Sequence, residues 1–81
     1  MKFYYVYILR SCVHLDRYYV GMTEDLNGRL KTHNAGGYKH TFKFILWRIE
    51  IAVAFLTKEK TVAFEKYLKS HSGRAFAKKH F

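Results

Sequence analysis

Tyr5-Val6-Tyr7-Ile8-Leu9, then Tyr18-Tyr19-Val20-Gly21, then Met22-Thr23-Glu24-Asp25-Leu26-Asn27-Gly28-Arg29-Leu30-Lys31-Thr32-His33 form an almost continuous block, with only Arg10 to Arg17 separating its first two parts. From Phe3 to Leu9 both parities are apolar or aromatic, with Phe3, Tyr5, Tyr7 and Leu9 on one face and Tyr4, Val6 and Ile8 on the other. That is the pattern of a strand covered on both sides, hence a central strand. The aperiodic stretch Ser11 to Arg17 is long enough for a hairpin loop and too short for a parallel crossover, so Tyr18-Tyr19-Val20 starts an antiparallel neighbour. Pairing Tyr7 directly opposite Tyr19 would set two phenols side by side on one face. Thr23 suits a helix N-cap, Glu24 and Asp25 suit its positive end and Gly36-Gly37 stops it, which predicts a helix over residues 24–34.

Leu26 and Leu30 define the apolar stripe of that helix, yet Arg29 and His33 fall within about 60° of Leu26 and so point at the sheet. Periodicity alone leaves two readings open. Arg29 snorkels at the edge beside a hydrogen-bonded core histidine, or both side chains are functional.

Outward from this block, the 81 residues have room for one domain, 1–81, which buries about 60% of the surface of its unfolded chain. Fifteen Lys and Arg against six Asp and Glu give a formal charge of +9, an excess that points to polyanions. No run approaches the ~18 to 20 apolar residues of a membrane span, so nucleic acid is the expected partner and a membrane is not. Cys12 is the only cysteine; no intrachain disulfide forms, and with His14 alone it lacks the second ligand pair of a structural zinc site. The residues after Lys2 are alternating and aromatic without a small-residue cleavage site, so a cytoplasmic protein is expected.

Ala35 to Lys43 reads as a basic loop in which Lys39, His40 and Lys43 either contact phosphates or are merely solvated. Phe44 to Phe55 alternates, with Ile45, Trp47, Ile49, Ile51, Val53 and Phe55 on one apolar face and Arg48 and Glu50 on the other, which predicts a third strand. Thr57 caps a helix to about Lys69 whose inner surface is Thr61, Phe64, Tyr67 and Leu68. Glu65 lies at its margin, where an ion pair with Lys69 at i+4 is the ordinary reading. Ser72-Gly73 breaks the chain before a short basic helix, Arg74 to Phe81, anchored by Phe76. The fold expected is α+β (α/β in the broad sense): a small three-stranded antiparallel sheet flanked by helices, ββαβα plus a short C-terminal helix.

Tyr5-Val6-Tyr7, Tyr19-Val20-Gly21, Leu26, Arg29, His33, the helical Glu65 and the tail Ser72 to Lys79 together resemble the GIY-YIG nuclease superfamily, in particular its small stand-alone members. The resemblance implies a catalytic set of Tyr7, Tyr19, Arg29, His33 and Glu65, with Tyr5, Val6, Val20 and Gly21 as the strand-borne motif. It implies that Glu65 holds Mg²⁺ or Mn²⁺ and that one tyrosine helps to deprotonate the attacking water, without saying which. A phenol with a pKa near 10 is a poor base, and lowering it by ~3 units would need about 4 kcal/mol of phenolate stabilisation. DNA, branched or damaged, is the implied partner, for whose phosphates Lys39, His40, Lys43, Arg74, Lys78 and Lys79 are the candidate contacts; a second copy, which would let one small domain address two strands, or a repair protein would be a further partner, though nothing in the sequence requires either. Two positions depart from the pattern. Met22 stands where many members carry lysine, and Phe76-Ala77 where larger members place an asparagine.

Overall fold

The computed structural model describes residues 1–81. They run as β1 (Tyr4–Ser11), β2 (Tyr18–Thr23), α1 (Leu26–Asn34), a 3-10 turn (Phe42–Phe44), β3 (Trp47–Phe55), α2 (Lys58–Lys69) and α3 (His71–His80). The three strands form one antiparallel sheet in the order β2-β1-β3, so the doubly apolar segment is the central strand as its pattern predicts. Val6, Tyr7, Ile8 and Leu9 are all buried, each contributing roughly 1.5–3 kcal/mol of apolar burial. No helix is long and apolar enough to cross a membrane.

The pairing register differs from the phenol-to-phenol one. Tyr7 stands opposite Gly21, and Leu9 opposite Tyr19. Ser11 sets this: its N–H donates to the Arg17 carbonyl (3.0 Å), and its hydroxyl accepts from the N–H groups of Val13 (3.3 Å) and His14 (3.0 Å) and donates to the Phe44 carbonyl (2.8 Å). The hairpin loop is thereby held at one length, which fixes the ladder. A shift of two residues preserves parity, so Tyr7 and Tyr19 still share a face.

β3 also departs from its sequence pattern. Ile8 pairs with Ile51 but Leu9 pairs with Ile49, which leaves Glu50 as the extra residue of a bulge. The apolar alternation that looks like one face is thereby divided between two. Trp47 and Ile49 join Tyr7, Leu9, Leu26 and Leu30 under α1, whereas Ile51 and Phe55 join Val6, Ile8, Val20 and Leu68 on the face covered by α2 and α3. Both cores meet on the central strand. The strand itself starts at Trp47 instead of Phe44, because the 3-10 turn takes the preceding residues.

α2 starts where its sequence predicts, and α1 and α3 do not. Thr57 caps α2 by accepting from Lys60 N–H (3.3 Å). α1 is capped by Asp25, which accepts from Gly28 N–H (3.0 Å), while the Thr23 hydroxyl accepts from Asp25 N–H (3.0 Å) and only steadies the approach. α3 starts earlier than Arg74: Ser70 is its cap, so Ser72 and Gly73 lie inside the helix.

Asn34, the last residue of α1, accepts from Trp47 N–H (2.6 Å) and donates to the Trp47 carbonyl (3.0 Å). These two bonds tie α1 to the start of β3. Asn34→Ala is expected to lower stability by about 1–3 kcal/mol, read as a fall of roughly 5–15 °C in melting temperature. Asn34→Asp, which keeps the acceptor and loses the donor, is expected to fall between the two proteins.

Candidate active site

Gly21 makes room for the Tyr7 side chain. A β-carbon there would lie 2.5 Å from Tyr7 Oη, 2.6 Å from Tyr7 Cζ and 3.0 Å from Tyr19 Cε2, so only glycine lets the Tyr7 phenol cross the strand pair at this height. Tyr19, two residues earlier on β2, brings its ring centroid to 6.3 Å from that of Tyr7. From above, α1 lowers His33 onto the pair. Its Nε2 is 3.1 Å from Tyr7 Oη and its Nδ1 is 2.8 Å from Thr41 Oγ1. Its ring lies 5.0 Å from Tyr19 and 4.4 Å from Tyr38 between centroids. Arg29, one turn before His33, is half-buried with its guanidinium carbon 5.5 Å from the Tyr38 ring centroid.

Tyr7 and His33 are each 1% exposed, and burial governs both. It pushes the Tyr7 phenol up to about 12, with the neighbouring Arg29 guanidinium partly opposing it, because a phenolate loses its hydration in the core. Burial pushes His33 below its ordinary value, and Arg29 pushes it the same way. The imidazole is therefore neutral at neutral pH. Each of its nitrogens meets a hydroxyl, and hydroxyls both donate and accept. Either tautomer is thus satisfied: Tyr7 donates to Nε2 while Nδ1–H donates to Thr41, or the reverse.

Both shifts make stability depend on pH, with opposite signs. Below about pH 6.5 an unfolded chain protonates a histidine that the folded chain keeps neutral, so unfolding is favoured as pH falls from there toward the lowered His33 value. Above pH 10 the unfolded chain releases a phenolic proton that folded Tyr7 holds to about 12, so stability also falls across that interval. Thermal unfolding as a function of pH is expected to show both limbs. His33→Gln should flatten the acid limb and Tyr7→Phe the alkaline one.

Glu65 makes no ion pair with this cluster. It belongs to α2 on the other face of the sheet, its side chain is 19% exposed, and it pairs with Lys69 at 3.6 Å. α2 carries it on the same stripe as Lys58 and Lys69, seven residues after the one and four before the other. Lys69 and Tyr19 line one hollow, and Lys58 shares another with Met22 and Arg29. No three His, Cys, Asp or Glu residues gather anywhere in the protein. One partly exposed carboxylate is compatible with Mg²⁺ or Mn²⁺, which take one or two protein carboxylates and complete their shells with water and phosphate oxygens. It does not fit structural zinc.

The basic residues divide between two places. Lys39, His40 and Lys43 are exposed on the loop that carries Tyr38 and Thr41, beside the cluster. Arg74, Lys78 and Lys79 are exposed on α3, on the opposite face. Of the strand motif, Val6 and Val20 are core residues of the α2 side, and Tyr5 pairs with Thr23 and Ala54 while its ring meets Phe3 at 6.3 Å. Sequence reasoning missed Tyr38 and Thr41. An aromatic in an otherwise polar loop is a faint signal for the first, and nothing marks the second.

A family model described as the GIY-YIG catalytic domain matches residues 3–79. Among solved structures, the solution NMR structure of the UPF0213 protein BH0048 from Bacillus halodurans is similar. It is 32% identical with a TM-score of 0.56, and the match covers 94% of this chain and 80% of that one. No curated protein matches the chain.

Proposed function

The chain belongs to the GIY-YIG family of nuclease domains, and from that premise we propose that it hydrolyses phosphodiester bonds in DNA with Mg²⁺ or Mn²⁺. The observation that carries this reading is the buried hydrogen-bonded series Tyr7, His33, Thr41 with Arg29 beside it. Hydrolysis needs a water stripped of its proton, charge neutralised on the phosphoryl oxygens, and help for the departing oxygen. Tyr7 cannot serve as a standing phenolate, since burial holds it protonated to about pH 12. It acts instead as a relay. Tyr7 Oη accepts the proton of the attacking water as it passes its own to His33 Nε2, and His33 Nδ1–H donates to Thr41.

Arg29 presents its fork of donors to the scissile phosphate. Tyr19, half-buried at the strand edge, positions the nucleotide. Glu65 would hold the divalent cation, which when bound supplies charge neutralisation on the phosphate and its leaving oxygen. Lys58, on the hollow it shares with Met22 and Arg29, provides an ammonium where the family pattern has a lysine and this chain has Met22. The small basic body favours recognition by shape, branch or damage over base readout. This suits a cytoplasmic DNA-repair or processing role with a second copy or a repair protein as partner.

Supercoiled plasmid and branched synthetic duplexes, incubated with Mg²⁺, Mn²⁺ or chelator, test the proposal. Metal-dependent nicking is expected, reduced at least a hundredfold by Glu65→Gln with an unchanged circular dichroism spectrum. Salt-sensitive binding without cleavage under every metal condition would replace the enzyme by a nucleic-acid-binding module of the same fold. Equal cleavage by wild type and Glu65→Gln would assign the activity to a contaminant.

A further inference from the structure

On the sheet face away from Tyr7 and His33, α3 leaves a hollow of about 220 Å³ against β1 and β2. Its polar and aromatic walls are Arg10, Tyr18, Glu50, Arg74, Lys78 and Phe81. The charges there do not cancel. Arg10 is consumed: it donates to both Glu50 oxygens (3.3 and 3.0 Å) and to the Leu15 carbonyl (3.2 Å), with its guanidinium carbon 5.3 Å from the Tyr18 ring centroid. Arg74 donates only to the Lys69 carbonyl (3.3 and 3.2 Å). Lys78 takes part in none of the four ion pairs, which join Lys2 to Glu24, Arg10 to Glu50, Arg17 to Asp16 and Lys69 to Glu65. Two cationic residues without an ion-pair partner, Arg74 and Lys78, therefore line the hollow.

The remaining walls are flat and apolar. Tyr18 is 48% exposed and Phe81 43% exposed, large areas for aromatic rings unless something covers them. An anion joined to a planar ring is the ligand chemistry that answers both features, since aromatic faces stack bases and cations take phosphates. The volume lies below the roughly 300 Å³ at which pockets enclose drug-sized ligands, so a single nucleotide would sit partly outside it, its base on the exposed rim of Tyr18 and Phe81. We propose that this hollow is a nucleotide-binding exosite, with the phosphate between Arg74 and Lys78 and the base against Tyr18 and Phe81.

Its position relates it to the catalytic cluster. A second hollow shares Tyr18, Val20, Leu68 and Arg74 with the first and continues to Tyr19 and Lys69, so the two form a groove around the free edge of β2. The exosite stands on its own residues. It rests on the proposed nuclease function only for the source of the nucleotide, a free molecule or a unit of a bound strand.

Nitrogen–proton correlation spectra of the wild-type chain and of Glu65→Gln, titrated with inorganic phosphate, adenosine, adenosine 5′-monophosphate and a short oligonucleotide, test the assignment. The mononucleotide is expected to shift the amides of Tyr18, Lys78 and Phe81 and to bind at least fivefold tighter than adenosine or phosphate. Lys78→Glu and Tyr18→Ala, each checked for an unchanged circular dichroism spectrum, should each weaken it at least fivefold. An oligonucleotide that also shifts Tyr19 identifies a strand as the occupant, and one that leaves Tyr19 unmoved identifies the free nucleotide. Equal affinity for adenosine and its monophosphate, or shifts confined to Arg29 and residues 38–43, would overturn the exosite. Cleavage and pocket shifts of the wild-type chain, read side by side, separate the two proposals: a pocket that fills in a chain that never cuts removes the hydrolase alone, and cutting without pocket shifts removes the exosite alone.

Discussion

Tyr7→Phe is expected to lower the cleavage rate by about 10²–10⁴, the range of a lost general base or acid, while the protein still folds. The substitution removes one oxygen and nothing of the ring that fills the core beside Leu9 and Trp47. What it breaks is the 3.1 Å contact with His33 Nε2, which leaves a buried nitrogen unpartnered at a cost of about 1–3 kcal/mol. An 81-residue chain has about 4–12 kcal/mol of stability to lose from, so most molecules stay native. Tyr19→Phe is expected to act less severely, because Tyr19 meets His33 through its ring and has no share in the relay. Single-turnover nicking, with thermal unfolding measured alongside, checks both. A Tyr7→Phe protein within threefold of wild type beside an inactive Tyr19→Phe would transfer the base to Tyr19 and end the relay.

Gly73→Ala is expected to destabilise the protein by about 3 kcal/mol or more, against the ordinary sense of that exchange. In an exposed helix interior alanine is better than glycine by about 1 kcal/mol. Here a β-carbon would lie 1.6 Å from the Tyr67 carbonyl oxygen and 2.4 Å from its carbon, both backbone atoms of α2. The last turn of α2 and the first of α3 would have to separate. Phe76 and Ala77 would then withdraw from the core formed by Val6, Ile8, Val20 and Leu68, adding the cost of a disturbed core to that of the overlap. A melting temperature lower by about 10–25 °C follows for a chain of this size. Ala75→Gly, at an exposed position of the same helix, is expected to cost only about 1 kcal/mol. A Gly73→Ala protein as stable as wild type would show that the α2–α3 corner relaxes freely.

Much of this architecture was legible in the chain. The double parity of Phe3 to Leu9, the loop length before Tyr18, the Thr57 cap and the Glu65–Lys69 pair each depend on residues within a turn or a hairpin of one another, where steric and hydrogen-bond preferences act directly. The same local logic turned Arg29 and His33 toward the sheet. Sequence also supplied the excess of cations and the family resemblance, and so the class of chemistry.

Tertiary structure decided the rest, because the deciding partner in each case is far away in the chain. Ser11 closes the hairpin loop while also bonding to Phe44 far along the chain, and with that loop Tyr7 meets Gly21 instead of Tyr19. The bulge at Glu50 is invisible in an alternation that stays perfect through it, and it is what sends Trp47 to the face of Tyr7 and Leu9 and Ile51 to the other. Thr41 becomes the histidine's second partner only once the loop has folded back over α1. Gly73 reads as a chain break until α2 and α3 meet at a distance that no side chain permits. Periodicity reports which side of its own element a residue occupies; what stands opposite is settled by packing and hydrogen bonding that must be satisfied together across the whole molecule.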